Sequence, residues 1–161
     1  MVTNDDGIDS EGLIALADRL REIARVIVVA PDEEKSAISH SLTLRKPIRV
    51  RKIKEDVYAV SGTPTDCVNL SINLLFDRKP DLVVSGINRG GNMGEDIFYS
   101  GTVAAAREAT LLKVPAFAIS VEAKSNFIFE PAAKFAKWFA QYVLNTPPPE
   151  GVYFNVNLPN V

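Results

Sequence analysis

A chain of 161 residues is the size of one domain, and folding at that length buries roughly 70% of the surface an unfolded chain exposes, so no disulfide or metal staple is required. A hydrophobic fraction of 47%, 24% charged residues and a net charge of −2 describe an ordinary globular composition with no bulk pull towards nucleic acid or an anionic membrane. The single cysteine excludes an intrachain disulfide, and with no signal peptide or bilayer-spanning apolar run the expected compartment is the cytoplasm.

Met1-Val2-Thr3 reads as the last part of a buried first strand, and its shortness leads us to expect residues ahead of Met1. Asn4-Asp5-Asp6-Gly7-Ile8-Asp9-Ser10 follows, with two adjacent carboxylates where the strand gives way to a helix. In open α/β sheets ligands bind beyond the carboxyl ends of strands, which suits a metal here. Asp5, Asp6, Asp9 and Ser10 equally suit a turn and a helix cap. Beyond Ser10, Leu13, Leu16, Ala17, Leu20 and Ile23 recur at helical spacing, leaving Asp18, Arg19, Arg21 and Glu22 outside. Arg25-Val26-Ile27-Val28-Val29-Ala30 is then a strand buried on both faces and stopped by Pro31. Strand, helix and strand make a βαβ unit.

Residues 32–41 are polar and leave the same carboxyl edge of the sheet, within reach of the acidic pair. Residues 48–53 alternate apolar with basic side chains, and Val57-Tyr58-Ala59-Val60 follows a charged turn, which predicts an antiparallel hairpin. Thr63 is a candidate N-cap with Pro64 at the first helical position and Asp66 three residues after the cap, while Val68, Leu70, Ile72, Leu74 and Leu75 supply apolar surface. Cys67 reads as buried packing.

Asp81-Leu82-Val83-Val84-Ser85 is a second buried strand, and it runs into Gly86-Ile87-Asn88-Arg89-Gly90-Gly91-Asn92-Met93-Gly94. Four glycines in nine residues let backbone amides approach a phosphate, the other reading being a plain surface loop. Tyr99-Ser100-Gly101-Thr102 opens an alanine-rich helix over residues 103–112, whose first-turn amides and two hydroxyls suit an anion, a simple N-cap or both. Pro115-Ala116-Phe117-Ala118-Ile119-Ser120 is a third buried strand. From Pro131 a helix carries the apolar stripe Ala132, Phe135, Ala136, Phe139, Tyr142 and Val143, with Trp138 and Phe139 read as core or subunit contact. A proline-rich stretch at 145–151 separates two elements of one domain, and residues 152–158 alternate like a last strand.

Three segments, Asp5-Asp6, residues 36–40 and residues 88–102, thus converge on one sheet edge. Two carboxylates, a hydroxyl and an amide oxygen form a hard oxygen set that suits Mg²⁺ or Mn²⁺ and disfavours zinc. Such an ion beside an anion cradle describes a metal-dependent phosphatase.

Thr3-Asn4-Asp5-Asp6-Gly7, Ala30-Pro31-Asp32 with Ser36 and Ser39-His40-Ser41-Leu42-Thr43, Gly62-Thr63-Pro64-Thr65-Asp66-Cys67-Val68, Val84-Ser85-Gly86-Ile87-Asn88-Arg89-Gly90 and Tyr99-Ser100-Gly101-Thr102-Val103 resemble, in order, the signatures of the SurE (survival protein E) family. The resemblance implies a cytoplasmic phosphomonoesterase that uses one divalent ion per subunit, Mg²⁺ or Mn²⁺, to hydrolyse nucleoside 5′- and 3′-monophosphates. It implies a Rossmann-like, mostly parallel α/β sheet with helices on both faces and an antiparallel hairpin insertion, assembled as a homodimer or homotetramer without membrane or stable nucleic-acid partners. Carried over residue by residue, the metal ligands fall on Asp5, Asp6, Ser36 and Asn88, with Asp5 and Asp6 as the catalytic pair. Asn92, Ser100, Gly101 and Thr102 line the phosphate. The expected unit is one SurE-like domain over residues 1–161, without the longer first strand and the C-terminal arm for subunit exchange and active-site cover that family members carry.

His40 has two readings, a general acid for the leaving alkoxide or a side chain that holds its own loop by hydrogen bonds, and it is not placed in the catalytic set. Lys35 and Arg89 offset phosphate charge or pair with nearby glutamates. Competing functions are a covalent aspartyl-phosphate enzyme, a magnesium-binding receiver-like signalling domain and a non-catalytic nucleotide- or phosphate-binding module. The covalent route wants a second aspartate two residues on, followed by a hydroxyl residue, and the receiver wants an aspartate ending a later central strand. Neither is present.

Overall fold

Apolar β-branched runs form the strands, and helical apolar stripes cover both sheet faces, in the computed structural model of residues 1–161. In chain order the elements are β1 (Val2–Thr3), α1 (Glu11–Leu20), β2 (Val28–Pro31), β3 (Val50–Lys54), β4 (Val57–Val60) and α2 (Pro64–Leu70). Then come β5 (Val83–Arg89), α3 (Gly101–Leu111), β6 (Ala116–Glu122), α4 (Glu130–Asn145) and β7 (Phe154–Pro159). One seven-stranded sheet has the order β3-β4-β2-β1-β5-β6-β7, and only the β3–β4 pair is antiparallel. This is the Rossmann-like architecture with a hairpin insertion.

Alternation along the strands divides the core into two layers. Val84, Phe117 and Ile119 pack with Leu13 and Leu16 of α1 and Ala136 and Val143 of α4, while Val83, Ala116 and Ala118 pack with Val68 of α2 and Val103, Ala105 and Ala109 of α3. Small side chains let α3 sit close to the sheet, so its first turn lies directly above the carboxyl ends of the central strands. Caps fix where these helices begin. Ser10 accepts from the Leu13 amide, Ser100 accepts from the Val103 amide, and Thr63 and Asp66 form the expected capping box.

Four elements depart from the sequence reading, each for a reason of packing. β2 starts at Val28 rather than Arg25 and includes Pro31; β1 has already ended at Thr3, so the amide hydrogen that proline lacks breaks no ladder bond on that side. The regular part of α2 stops at Leu70, and the chain continues in a wider π-helical turn, Ser71–Leu75, that leaves Leu74 exposed. β5 does not stop at Ser85 but runs on to Arg89 through an irregularity between Ser85 and Asn88 that contains a cis Gly86-Ile87 peptide. Gly86 therefore belongs to the sheet and not to a phosphate-binding loop. Finally, Trp138 lies on the outer face of α4, stacked with Tyr142, while the buried stripe is mostly alanine.

Gly86 adopts φ +142°, and a Cβ at that position would fall on the carbonyl oxygen of Ile119 in β6. Gly86→Ala is expected to destabilise the protein by at least about 2 kcal/mol, because both the backbone conformation and the sheet contact oppose a side chain. Urea unfolding monitored by circular dichroism measures this. An unchanged midpoint would remove Gly86 from the determinants of the β5–β6 geometry.

Candidate active site

The turn after β1 is organised by Asn4, whose buried amide donates to the Gly7 carbonyl at 3.0 Å and to Ser10 Oγ at 2.6 Å. That closes the turn and starts α1, leaving Asp5 and Asp6 to point elsewhere. Asp5 is buried and reaches the beginning of α3, where its Oδ2 accepts from the Thr102 amide at 3.0 Å and its Oδ1 accepts from Thr102 Oγ1. A Cβ on Gly101 would lie 2.9 Å from Asp5 Cβ and 3.0 Å from Ile38 Cγ2, so the missing side chain is what lets α3 close over the aspartate. Asp6 Oδ2 accepts from the Arg89 amide at 3.3 Å.

Asn88 stands at the end of β5. Its Nδ2 donates to the Gly90 carbonyl at 2.8 Å, and its Oδ1 lies 3.5 Å from Thr102 Oγ1. Ser36 arrives on the loop after β2, held by the bond from the Lys35 amide to the Asp5 carbonyl at 2.7 Å, and its hydroxyl donates to Glu34 Oε1 at 2.6 Å. Asp5, Asp6, Ser36 and Asn88 all line one open cavity of about 610 Å³.

The expected phosphate residues divide into two groups. Asn92 and Ser100 line this cavity, whereas Gly101 and Thr102 do not. Two first-turn amides of α3 are already occupied: that of Thr102 serves Asp5, and that of Val103 serves the Ser100 hydroxyl. The anion at this helix terminus is Asp5 itself. Asn92 is buried, donates to Ser120 Oγ at 2.9 Å and anchors its loop to β7 through Asn155 and Asn157. Lys35 turns to Glu33 rather than to the cavity. His40 does not line it either and instead meets Glu108 of α3. β5 ends in Asn88 and Arg89, with no carboxylate where a receiver domain would accept a phosphoryl group.

Charge around the cavity is strongly one-sided. Asp5, Asp6, Asp9, Asp32, Glu33, Glu34 and Asp96 line it against the single cation Arg89. Burial first, and then the neighbouring Asp5 charge, push the Asp6 carboxyl up to about 6. Burial likewise pushes Asp5 up, and its Thr102 bonds pull it partly back. Two carboxylates raised in this way have only the Arg89 guanidinium as partial counter-charge, and the oxygens beside them belong to a hydroxyl and an amide. No three His, Cys, Asp or Glu side chains converge to hold an ion, so a cation here must take neutral oxygens as well. That donor set fits a hard divalent ion.

Several of these partners carry no local sequence signal. The Thr102 hold on Asp5 spans 97 positions, and the acidic rim comes from separate loops. The Asn4 turn is the exception: an asparagine that bonds its own backbone a few residues on is a local pattern.

The family model for Survival protein SurE matches residues 1–161. The chain is 51% identical over 162 residues to the 5′-nucleotidase SurE of Geobacter sulfurreducens, covering 100% of this chain and 62% of that protein. It is 52% identical over 161 residues to the 5′-nucleotidase SurE of Pelobacter propionicus, covering 99% and 65% respectively. A crystal structure of the SurE protein from Aquifex aeolicus superposes with a TM-score of 0.95 at 48% identity, covering 99% of this chain and 65% of that one. The chain therefore spans less than two thirds of the length of these relatives. A match over every residue, joined to a shared backbone and about half of its side chains, places the chain in the SurE family.

Proposed function

We propose that this chain carries the catalytic centre of a divalent-metal-dependent nucleotidase that hydrolyses nucleoside 5′- and 3′-monophosphates to nucleoside and phosphate. The observation that carries this reading is the pair of adjacent carboxylates raised by burial, Asp5 and Asp6, beside neutral oxygen donors in an open cavity at the sheet edge. Relatives named 5′-nucleotidase support the substrate class.

Asp5, Asp6, Ser36 and Asn88 would hold one Mg²⁺ or Mn²⁺ per subunit, which when bound supplies Lewis acidity to a phosphoryl oxygen and lowers the pKa of a water. The protein does the rest. Thr102 and Gly101 fix Asp5, so that carboxylate cannot swing towards solvent, and the Arg89 amide fixes Asp6. Ser100 and Asn92 would meet the phosphoryl oxygens, a reading supported by their position on the cavity wall, where the Arg89 guanidinium is the one cationic side chain. An anion entering so acidic a cavity is repelled until cationic charge is present.

The same reading includes assembly as a homodimer or homotetramer, supported by the exposed aromatic face of α4, and a cytoplasmic location. No helix is long and apolar enough to cross a membrane.

Release of inorganic phosphate from AMP, GMP and their 3′ isomers is expected with Mn²⁺ and abolished by EDTA. Asp5→Asn is expected to lower kcat by at least about 100-fold, since it removes a charged ligand while keeping the shape of the site. Full activity of Asp5→Asn at saturating Mn²⁺ would overturn the assignment, and binding of AMP without phosphate release would mark a non-catalytic module.

Asp6 provides a test that needs no substrate. Its folded carboxyl titrates near 6 against an ordinary value of 3.8, so between those limits the metal-free folded protein keeps a proton that the unfolded chain has lost. The stabilisation from this group is present at the acidic end of that window and disappears as pH rises through about 6. Asp6→Asn is therefore expected to raise the Tm of the metal-free protein at neutral pH, with the gain shrinking towards pH 4. Mn²⁺ should raise the wild-type Tm more at neutral pH than at pH 5. Calorimetric scans across pH check both, and a pH-independent gain would mean that the Asp6 charge is not strained.

A further inference from the structure

We propose that His40 is a positioning residue: through Glu108 it holds the 36–41 loop, and with it the Ser36 hydroxyl, at the metal-binding edge of the cavity. The proposal rests on the reading of Ser36 as a metal ligand.

The loop is irregular, and a single hydrogen bond within it runs from Ser41 Oγ to the Ile38 carbonyl at 2.6 Å. Ala37 and Ser39 both adopt left-handed backbone conformations, at φ 53° and 58°, without being glycine. Its other restraints come from outside. The Lys35 amide bonds the Asp5 carbonyl at 2.7 Å, the Ser39 amide bonds the Tyr99 carbonyl at 2.9 Å, and the Ser41 carbonyl accepts from Thr63 Oγ1 at 2.7 Å. One side-chain hydrogen bond ties the loop to α3, between His40 Nε2 and Glu108 Oε2 at 2.8 Å. Glu108 is nine-tenths buried, and its second oxygen accepts from Asn69 Nδ2 of α2 at 2.8 Å. The carboxylate is thus held from two sides, and the imidazole docks onto a fixed acceptor.

The position of that acceptor gives the contact its meaning. Glu108 lies on the same helix as Thr102, the residue that grips Asp5. α3 therefore fixes two oxygens of the metal set at once, Asp5 through Thr102 and Ser36 through the Glu108–His40 contact. The spacing between them is then set by a rigid helix together with the direct bond from the Lys35 amide to the Asp5 carbonyl. His40 itself is not among the residues lining the cavity, so it acts on the site through another group and does not meet substrate.

A comparison of Mn²⁺ affinities, measured by titration calorimetry on the metal-free protein, tests this. Ser36→Ala is expected to weaken Mn²⁺ binding, and His40→Leu to weaken it about 10- to 100-fold, the usual range for a group that orients a ligand from outside. His40→Gln, which can still donate to Glu108, should recover most of that loss. In a Ser36→Ala background His40→Leu should have no further effect. Amide hydrogen exchange over residues 36–41 should accelerate in His40→Leu and not in His40→Gln. If His40→Leu fails to fold, Glu108→Gln carries the same comparison. Wild-type Mn²⁺ affinity in His40→Leu or Glu108→Gln, alongside a weakened Ser36→Ala, overturns the proposal alone. Equal losses with and without Ser36 also overturn it, because His40 would then act elsewhere. An unchanged affinity in Ser36→Ala overturns the ligand reading of Ser36 and the proposal together.

Discussion

The structure turns on the two hydrogen bonds that Thr102 gives to Asp5. A buried carboxylate needs donors to offset the loss of water, and here they come from the first turn of a helix, where amides are free and the dipole favours negative charge. The arrangement satisfies both parties. α3 obtains a partner for its unpaired amides, and Asp5 stays in place at the end of β1 even though burial disfavours its charge. Because Gly101 has no side chain, the approach is close enough for both bonds to form. Remove this contact and the acidic pair, the α3 start and the 36–41 loop lose their common reference point.

The contact also divides the work among residues that look equivalent. Ser100, Gly101 and Thr102 are consecutive, yet Ser100 faces the cavity while the next two face Asp5. A helix terminus can serve one anion well, and a carboxylate from the protein has taken it. On the proposed reading, the attraction for a phosphate group would then come from elsewhere, and the acidic rim makes a cation its natural source. Asp6, raised first by burial and then by its neighbour and only partly offset by the Arg89 amide and guanidinium, is where that need is greatest.

Much of this was legible before any coordinates. The buried strands, the β3–β4 hairpin and the Thr63–Asp66 capping box follow from periodicity and from side chains that act on their own backbone. Such signals are contained within a few residues. The segments that carry Asp5-Asp6, Ser36 and Asn88 share one edge because parallel strands all end on the same side, while the choice of these four residues follows from the family resemblance. What could not be read depends on contacts between distant segments: the Thr102–Asp5 pair, the extension of β5 past Gly86, and the commitment of Asn92 to Ser120 and β7. The ambiguity over His40 had the same origin, since its partner Glu108 is 68 positions away. Leu74 was misplaced for a different reason, because the widened turn after α2 rotates it out of the helical stripe.

β1 has only two residues, yet it is the strand on which the two halves of the sheet meet. On one side it pairs with β2, some twenty-six positions later, and on the other with β5, more than eighty positions away. Asp5 and Asp6 follow it directly, so the acidic pair has its geometry only when both halves have docked. A partly folded chain containing either half alone would own some of the cavity's side chains but not their arrangement. A ligand that binds at this edge would therefore draw on the free energy of the whole sheet.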